Sequence, residues 1–404
     1  MSRSAPLSRV EFIALLAMLF ATVAFSIDSM LPALPEIALE LSPGNTNRAQ
    51  LVLTSFVLGM GVGTFFTGPL SDRFGRKPVI LCGAALYIAG AILSSVAQGL
   101  ELVLAARVIQ GLGAAAPRVV GLAIVRDLYS GREMARIMSF AMMVFTLVPA
   151  VAPLLGSWII ALSDWRGIFI AFVLFALISS GWLGLRQPET LLPADRRPLH
   201  LGTLWDAVQE MFSHPSVRYS ILAQTLCFSL LFMTISMIQP IFDDVFGKGE
   251  SFPYWFAGMA LLSGSASLLN AALVMRFGMR ALASLALGVQ ASISIAMTVI
   301  WMSGLRGDPM FYIFLVWMTS VFFQVGLTLG NLNAITMEPL GHIAGTAASV
   351  SGGLATVIGA AIAAPVGLAF DGTPLPLSMG ITLAAGLAWS ALQYMRRLEQ
   401  RGFA

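Results

Sequence analysis

One feature constrains this chain above all others: apolar runs of about twenty residues recur along it, separated by short polar connections. At about 1.5 Å per residue such a run crosses a hydrocarbon layer ~30 Å thick as an α-helix. A helix also satisfies its own backbone hydrogen bonds where no water is present to do so. Twelve runs can be delimited, at 9–31, 48–70, 78–98, 101–124, 135–160, 166–185, 218–240, 254–275, 280–302, 309–334, 342–368 and 374–395. The 404 residues are 57% hydrophobic and 11% charged, against about 25% charged in an ordinary soluble domain. The expected fold is an all-α membrane protein with twelve transmembrane helices. The first run is read as a span and not as a signal peptide, because it has no small-x-small cleavage site before Asp28 and many similar runs follow.

The longest polar stretch, 186–217, holds RQPETLLPADRRPLH and then LWDAVQEMF, a short amphipathic surface helix. It divides the chain into a first six-helix bundle at 1–185, a linker at 186–217 and a second six-helix bundle at 218–404. Arg276-Phe277-Gly278-Met279-Arg280, between spans 8 and 9, echoes Arg73-Phe74-Gly75-Arg76-Lys77, between spans 2 and 3. A repeated loop in two halves is what a duplicated transporter fold should show. With both termini inside, the cytoplasmic segments carry 17 Lys and Arg, and the outer loops carry 4: Arg48, Arg166, Lys248 and Arg306. That bias sets both termini in the cytoplasm.

Other function classes find no footing. Cys82 and Cys227 lie inside apolar runs, so neither a disulfide frame nor a metal site follows. His200, His214 and His342 fall in polar connections. There is no nucleophile with a base, no basic patch with interleaved aromatics for nucleic acid, and no attached sensor domain. No enzyme activity and no cofactor are expected.

The connection at 68–80, GPLSDRFGRKPVI, packs Asp72, Arg73, Arg76 and Lys77 between two spans. Gly68 and Gly75 permit a tight turn, and Pro69 and Pro78 mark helix ends. A turn this short and basic belongs on the cytoplasmic side. Arg126-Asp127, at the end of span 4, returns to the same surface within reach of 72–77.

An ionisable side chain in mid-membrane costs about 2.5–3.5 kcal/mol on insertion scales, so each asks for a reason. Asp28 lies in the outer third of span 1, followed by Pro32 and Pro35. It is either a protonatable site facing a central cavity or an interfacial residue at a helix end. Arg107, in span 4, sits at a similar depth, where it can pair with Asp28 or snorkel to the interface. Its neighbours Gly111, Gly113 and Ala114 to Ala116 allow close helix approach, which argues for a buried role. Arg118 follows on the same face about 16 Å along; cavity lining and snorkelling both suit it. In span 5, Pro149 and Pro153 kink the helix and Gly156 permits close contact, either as in segments that move or line a cavity or as a simple packing kink. The second half has no mid-membrane charge. Span 7 instead repeats Gln224, Phe228, Phe232, Ser236 and Gln239 at near-helical spacing, and span 10 aligns Gln324, Thr328 and Asn331, with Asn333 nearby. Met142, Met143, Phe145, Met233 and Met237 suit either packing or an adaptable apolar pocket.

With these residues in view, the chain resembles the Bcr/CflA-type drug:proton antiporters of the major facilitator superfamily. The likeness runs over nearly the whole chain, through IDSMLPALP, GPLSDRFGRKP, RVIQGLGAAAPR, VRDLYSGREMARIMSF, VPAVAPLLG, WRGIF, PET and MEPLGHIAGTAASV. It implies the major facilitator fold and two pseudo-repeat halves. Asp28 would be the proton-linked carboxylate, with Arg107 as its partner. Gly68, Asp72, Arg73, Gly75, Arg76 and Lys77 would form a cytoplasmic gate motif, with Asp127 completing a charge relay. Pro149, Pro153 and Gly156 would be the antiporter motif. Arg118, Met142, Phe228, Phe232, Gln239, Gln324 and Asn331 are the cavity candidates. Met30, Thr64 and Ser157 depart from the branch's usual Tyr, Gln and Gly.

The expected function is proton-driven export of small amphipathic compounds from the bacterial inner membrane, by a monomer in the lipid bilayer whose partners are protons and a small-molecule substrate. Export of one endogenous metabolite by the same mechanism, and proton-coupled nutrient uptake, are the competing readings.

Overall fold

The computed structural model describes residues 7–196 and 201–401, apart from the side chains of residues 132, 135, 139, 141, 142, 144–146, 201, 203 and 204. Among the described residues all regular structure is helical. In chain order the helices are α1 (Arg9–Asp28), α2 (Leu34–Leu41), α3 (Leu51–Phe74), α4 (Arg76–Val96), α5 (Leu100–Leu128), α6 (Gly131–Leu162), α7 (Trp165–Arg186), α8 (Leu201–Ser213), α9 (Pro215–Pro240), α10 (Phe252–Phe277), α11 (Met279–Met302), α12 (Asp308–Met337), α13 (Ala344–Leu368) and α14 (Leu375–Gln400). Eleven helical stretches of the described residues are long and apolar enough to cross a membrane, and α6 carries a shorter apolar stretch, Leu147–Leu162.

Local chemistry explains the boundaries. The first span was expected to end near residue 31; instead α1 stops at Asp28, a 3-10 turn covers Leu31–Ala33, and α2 continues to Leu41. Pro32 and Pro35 lack the N–H that an unbroken helix needs, and each sits at the start of a new helical turn. α3 runs on through Pro69 to Phe74, beyond the apolar run, because helical hydrogen bonding does not stop where the hydrocarbon does. It ends at Gly75, whose φ of 107° belongs to glycine alone. Asp164 caps α7 by accepting from the Arg166 and Gly167 amides.

The chain forms two compact units, one of Met1–Ser42 with Ser55–Leu201 and one of Pro43–Thr54 with Gly202–Ala404. In the first, α1 packs on α5, α6 and α7, and α4 packs on α5 and α7. In the second, α9 packs on α12, α13 and α14, and α11 packs on α12 and α14. The two patterns are one pattern: α1, α4, α5, α6 and α7 correspond to α9, α11, α12, α13 and α14. Inside the second unit, the Asn47 amide donates to the Leu368 and Phe370 carbonyls at 3.1 and 2.7 Å.

Glycine sets the closest crossing of the first unit. A Cβ at Gly59 would overlap the Val108 carbonyl oxygen, and one at Gly111 would overlap the Phe56 carbonyl oxygen, so α3 and α5 touch backbone to backbone. Gly352 in α13, by contrast, has nothing within 4 Å of a Cβ position. Gly111→Ala should therefore destabilise the protein by about 1–3 kcal/mol through overpacking. Gly352→Ala should be neutral or stabilise by up to about 1 kcal/mol through helix propensity. Thermal denaturation of the purified protein in detergent measures both, and equal shifts for the two would refute the crossing.

Candidate functional site

Three groups of side chains carry the chemistry. The first surrounds the end of α1. Asp28 is 5% exposed and makes no hydrogen bond or ion pair with any described residue. The next residue, Ser29, is folded back by its own hydroxyl, which donates to the Phe25 carbonyl at 2.6 Å. α6 presses directly on this turn: a Cβ at Gly156 would overlap the Ser29 carbonyl oxygen. Pro149 and Pro153 lie in the same helix, which continues through both, and the Ser157 hydroxyl donates to the Pro153 carbonyl at 3.1 Å. The proline-bearing but unbroken helix α6 thus meets the end of α1 beside its one buried carboxyl.

The expected pairing of Asp28 with Arg107 is not made, which corrects the sequence reading. Arg107 is fully buried, and its guanidinium donates to the Gln110 side-chain oxygen at 2.7 Å and to the Ser26 carbonyl at 3.0 Å. It also lies over the Phe56 ring, 4.3 Å from the centroid. Ser26 and Asp28 are two residues apart, about 200° around the helix. Arg107 therefore docks on the face of α1 that Asp28 does not occupy. The Ser26 hydroxyl donates its only proton to the Thr22 carbonyl at 2.6 Å, so the Tyr87 hydroxyl bonded to it must be the donor there. Tyr87 from α4 and Arg107 from α5 together fasten α1 one half-turn before Asp28. Arg118, eleven residues beyond Arg107, is exposed, in a stretch of α5 (106–125) whose other residues are buried or half-buried.

The second group is the turn between α3 and α4. Arg76 donates to Asp72, to the Ser71 hydroxyl at 2.8 Å and, through Nε, to Asp127 at 3.0 Å. One guanidinium thereby ties the end of α3 to the end of α5. Glu189 accepts from the Arg76 and Lys77 amides at 2.9 and 3.0 Å, capping α4, while the Thr190 hydroxyl donates to Asp127 at 2.9 Å. A Cβ at Gly75 would come 2.6 Å from Glu189 Oε2, so the glycine is required by its neighbour as well as by its φ. The Gly68 carbonyl accepts from the Ser71 hydroxyl at 2.8 Å. Arg73 is exposed and stacks on Phe74 at 5.1 Å, outside the cluster. Lys77 contributes its amide.

The echo in the second unit also sets an arginine between two carboxylates behind a glycine of positive φ. Gly278 has a φ of 81° and precedes α11. Arg280 donates to Glu338 and to Glu399, both at 2.8 Å. By letter Arg280 matches Lys77; it ties the start of α11 to the ends of α12 and α14, whereas Arg76 ties the start of α4 to the ends of α3 and α5.

The third group is the second-unit set. Phe228 and Phe232 stack with centroids 5.6 Å apart, and Gln224, Ser236 and Gln239 are buried. Gln324 donates to Thr328 at 2.7 Å and to the Cys227 sulfur at 3.7 Å. Asn331 donates to Asn270 at 2.7 Å. Gln324 and Asn331 are therefore committed to the contacts of α12 with α9 and α10. Met233 and Met237 are buried and Met143 is exposed; the side chains of Met142 and Phe145 lie outside the described residues. Among the described residues no group of three or more His, Cys, Asp or Glu is placed to hold a metal ion.

Sequence reasoning missed the roles of Ser26, Tyr87, Gln110 and Glu189. Glu189 had a signal in the PET triplet after span 6, and Gln110 one in the run from Arg107 to Gly111. Ser26 and Tyr87 are ordinary residues in apolar helices, and only packing gives them roles.

Two helical units built on one pairing scheme, each with a clamped arginine turn, define a membrane transporter of duplicated design. The Major Facilitator Superfamily model matches residues 14–364, and the chain belongs to that superfamily, as a multi-pass integral membrane protein. It is 30% identical to the "Bicyclomycin resistance protein homolog" of Haemophilus influenzae over 401 residues, covering 97% of this chain and 98% of that one. It is 29% identical to a "Chloramphenicol resistance protein" of Pseudomonas aeruginosa, covering 80% and 75%. Among solved structures, a D-xylose-proton symporter superposes with a TM-score of 0.74 at 16% identity, covering 95% of this chain and 98% of that one, a likeness of fold.

Removing the Glu189 cap leaves two amides at the start of α4 without their charged acceptor. Hydrogen bonds to charged groups contribute about 1.5–3 kcal/mol each, less where water can replace them. Glu189→Ala should lower the thermal midpoint in detergent, and Glu189→Gln should recover part of the loss. An unchanged midpoint in both would show the cap to be idle.

Proposed function

We propose that this protein is a proton-driven exporter of small amphipathic compounds, working by alternating access in a bacterial inner membrane. The observation that carries the reading is the buried carboxyl of Asp28, without a partner among the described residues, beside the proline-bearing helix α6. Family membership and full-length relatives named for resistance to bicyclomycin and chloramphenicol support the direction and the substrate class. In this reading the chain has twelve spans, with α6 as the fifth. Residues 1–185 and 218–404 are the two moving halves, 186–217 links them, both termini are cytoplasmic, and the transporter works as a monomer.

The mechanism uses the residues as follows. Burial without a partner makes the charge state of Asp28 depend on which helices enclose it. A movement of α1 against α6 changes that enclosure and so trades a proton for substrate. Arg107 does not neutralise Asp28; with Tyr87 it holds the Ser26 turn as a fixed point from which the end of α1 moves. Asp72, Arg76 and Asp127 form a lock that breaks and reforms between the two access states. Phe228, Phe232 and Gln239 offer aromatic and neutral polar contact to substrate. The driving force is adequate: one proton crossing ~150 mV supplies about 3.4 kcal/mol, enough for a roughly 300-fold gradient of a neutral compound.

Proteoliposomes carrying an imposed proton gradient test this. Asp28→Asn should abolish substrate-induced proton release and uphill export while retaining substrate binding, because the amide mimics the protonated acid. A variant that still concentrates substrate would place coupling elsewhere. Asp72→Asn should cut turnover with expression and insertion near normal; full turnover would reduce the turn to a topology signal.

A further inference from the structure

The linker helix α8 carries more apolar surface than its docking on the second unit uses. At 100° per residue, Ala207 and Met211 lie about 40° apart on one flank, and both are buried. Met211 packs with Val217 and Ile221 at the start of α9, with Leu340 after α12, and with Ala347 in α13. Glu210, next on the helix, binds His342 at 2.9 Å. The apolar arc does not end at the docked flank. Val208, Phe212 and Trp205 continue it over roughly another 100–120°, and there Trp205 is 62% exposed and Phe212 is 39% exposed. Gln209, Ser213 and Asp206 follow around the helix, all exposed. The helix thus has three faces: one on protein, one polar, and between them one apolar and uncovered.

Its place in the chain identifies what covers that face. A single residue, His214, separates α8 from α9, which is long and apolar enough to cross the membrane. Phe212 therefore stands within a turn of where the span begins. The same end of the second unit carries the residue types that mark a membrane boundary. Tyr219 in the first turns of α9 packs at a tilt on Tyr394 near the end of α14, ring centroids 5.1 Å apart, and Arg218, Arg396 and Arg397, within three residues of them in the chain, are exposed. Tyrosine and tryptophan concentrate at headgroup level with basic side chains, and amphipathic helices lie there in the plane of the bilayer. We propose that α8 lies in the membrane interface, with Trp205 and Phe212 inserted among lipids at headgroup depth and Asp206, Gln209 and Ser213 in water. The linker is then a lipid-anchored strut and not a free tether.

Nitroxide labels test the proposal. They are placed at 205, 212 and 209 in a variant carrying Cys82→Ser and Cys227→Ser, reconstituted in phosphatidylcholine/phosphatidylglycerol vesicles. Accessibility to oxygen over a water-soluble nickel chelate should be higher at 205 and 212 than at 209. Chelate access at all three sites, or spin–spin broadening at 205 from a second copy, overturns it. Should the background fail to fold, a photoreactive benzoyl-phenylalanine at 205 or 209 in the native chain gives the same decision. A lipid adduct at 205 and none at 209 supports the interface; a dimer adduct, or no adduct at 205, refutes it.

Discussion

A fully buried guanidinium organises the first unit. Arg107 cannot be left unsatisfied inside a helical bundle, since a buried charge without hydrogen bonds is far costlier than any packing gain. Its partners therefore dictate where helices lie: the Ser26 carbonyl fixes α1, the Phe56 ring fixes α3, and Gln110 on its own helix holds the planar group in aim. The glycines at 59 and 111 follow from this, because α3 must come close enough for its phenylalanine to face the charge. Tyr87 adds a second hold on the same turn of α1. What remains of α1 beyond that turn, with Asp28 and Ser29, is held by contact with α6 and not by polar bonds.

Two kinds of joint thus sit side by side. At Ser26 the joint is made of directional hydrogen bonds and an aromatic face, each with a narrow geometric tolerance. At Ser29 it is the bare approach of two backbones at Gly156, with no hydrogen bond to break. Sliding at the second costs less than rotation at the first, which is the division of labour that the proposed movement of α1 against α6 would use.

Much of this was legible in the sequence, for stated reasons. Apolar runs of fixed length revealed the helices, and the repeated arginine-phenylalanine-glycine turn revealed the duplication. Charges gathered at one end of the spans put Asp127 within reach of 72–77, and the family resemblance singled out Asp72, Arg76 and Asp127 as the cluster. What could not be read were contacts that depend on rotation about a helix axis. Asp28 and Arg107 share a depth, and depth together with the family resemblance suggested a pair, but 200° of rotation between Ser26 and Asp28 separates them. Gln324 and Asn331 shared a face, as expected, yet that face meets α9 and α10, so their amides are spent on neighbours. Linear spacing gives height and face; it does not say which neighbour the face will find.

The displaced arginine of the second unit has a consequence for how such transporters diverge. After a gene doubles, the two copies of a turn drift independently, and a residue-by-residue comparison scores Arg280 against Lys77 and not against Arg76. What survived drift here is a cation held between the ends of neighbouring helices, reached from a different rung. In these two units the common element is a cation clamped by acidic side chains at helix ends, and not a fixed address in the chain. A search for ancient duplications should therefore compare where guanidinium groups end up before it compares letters.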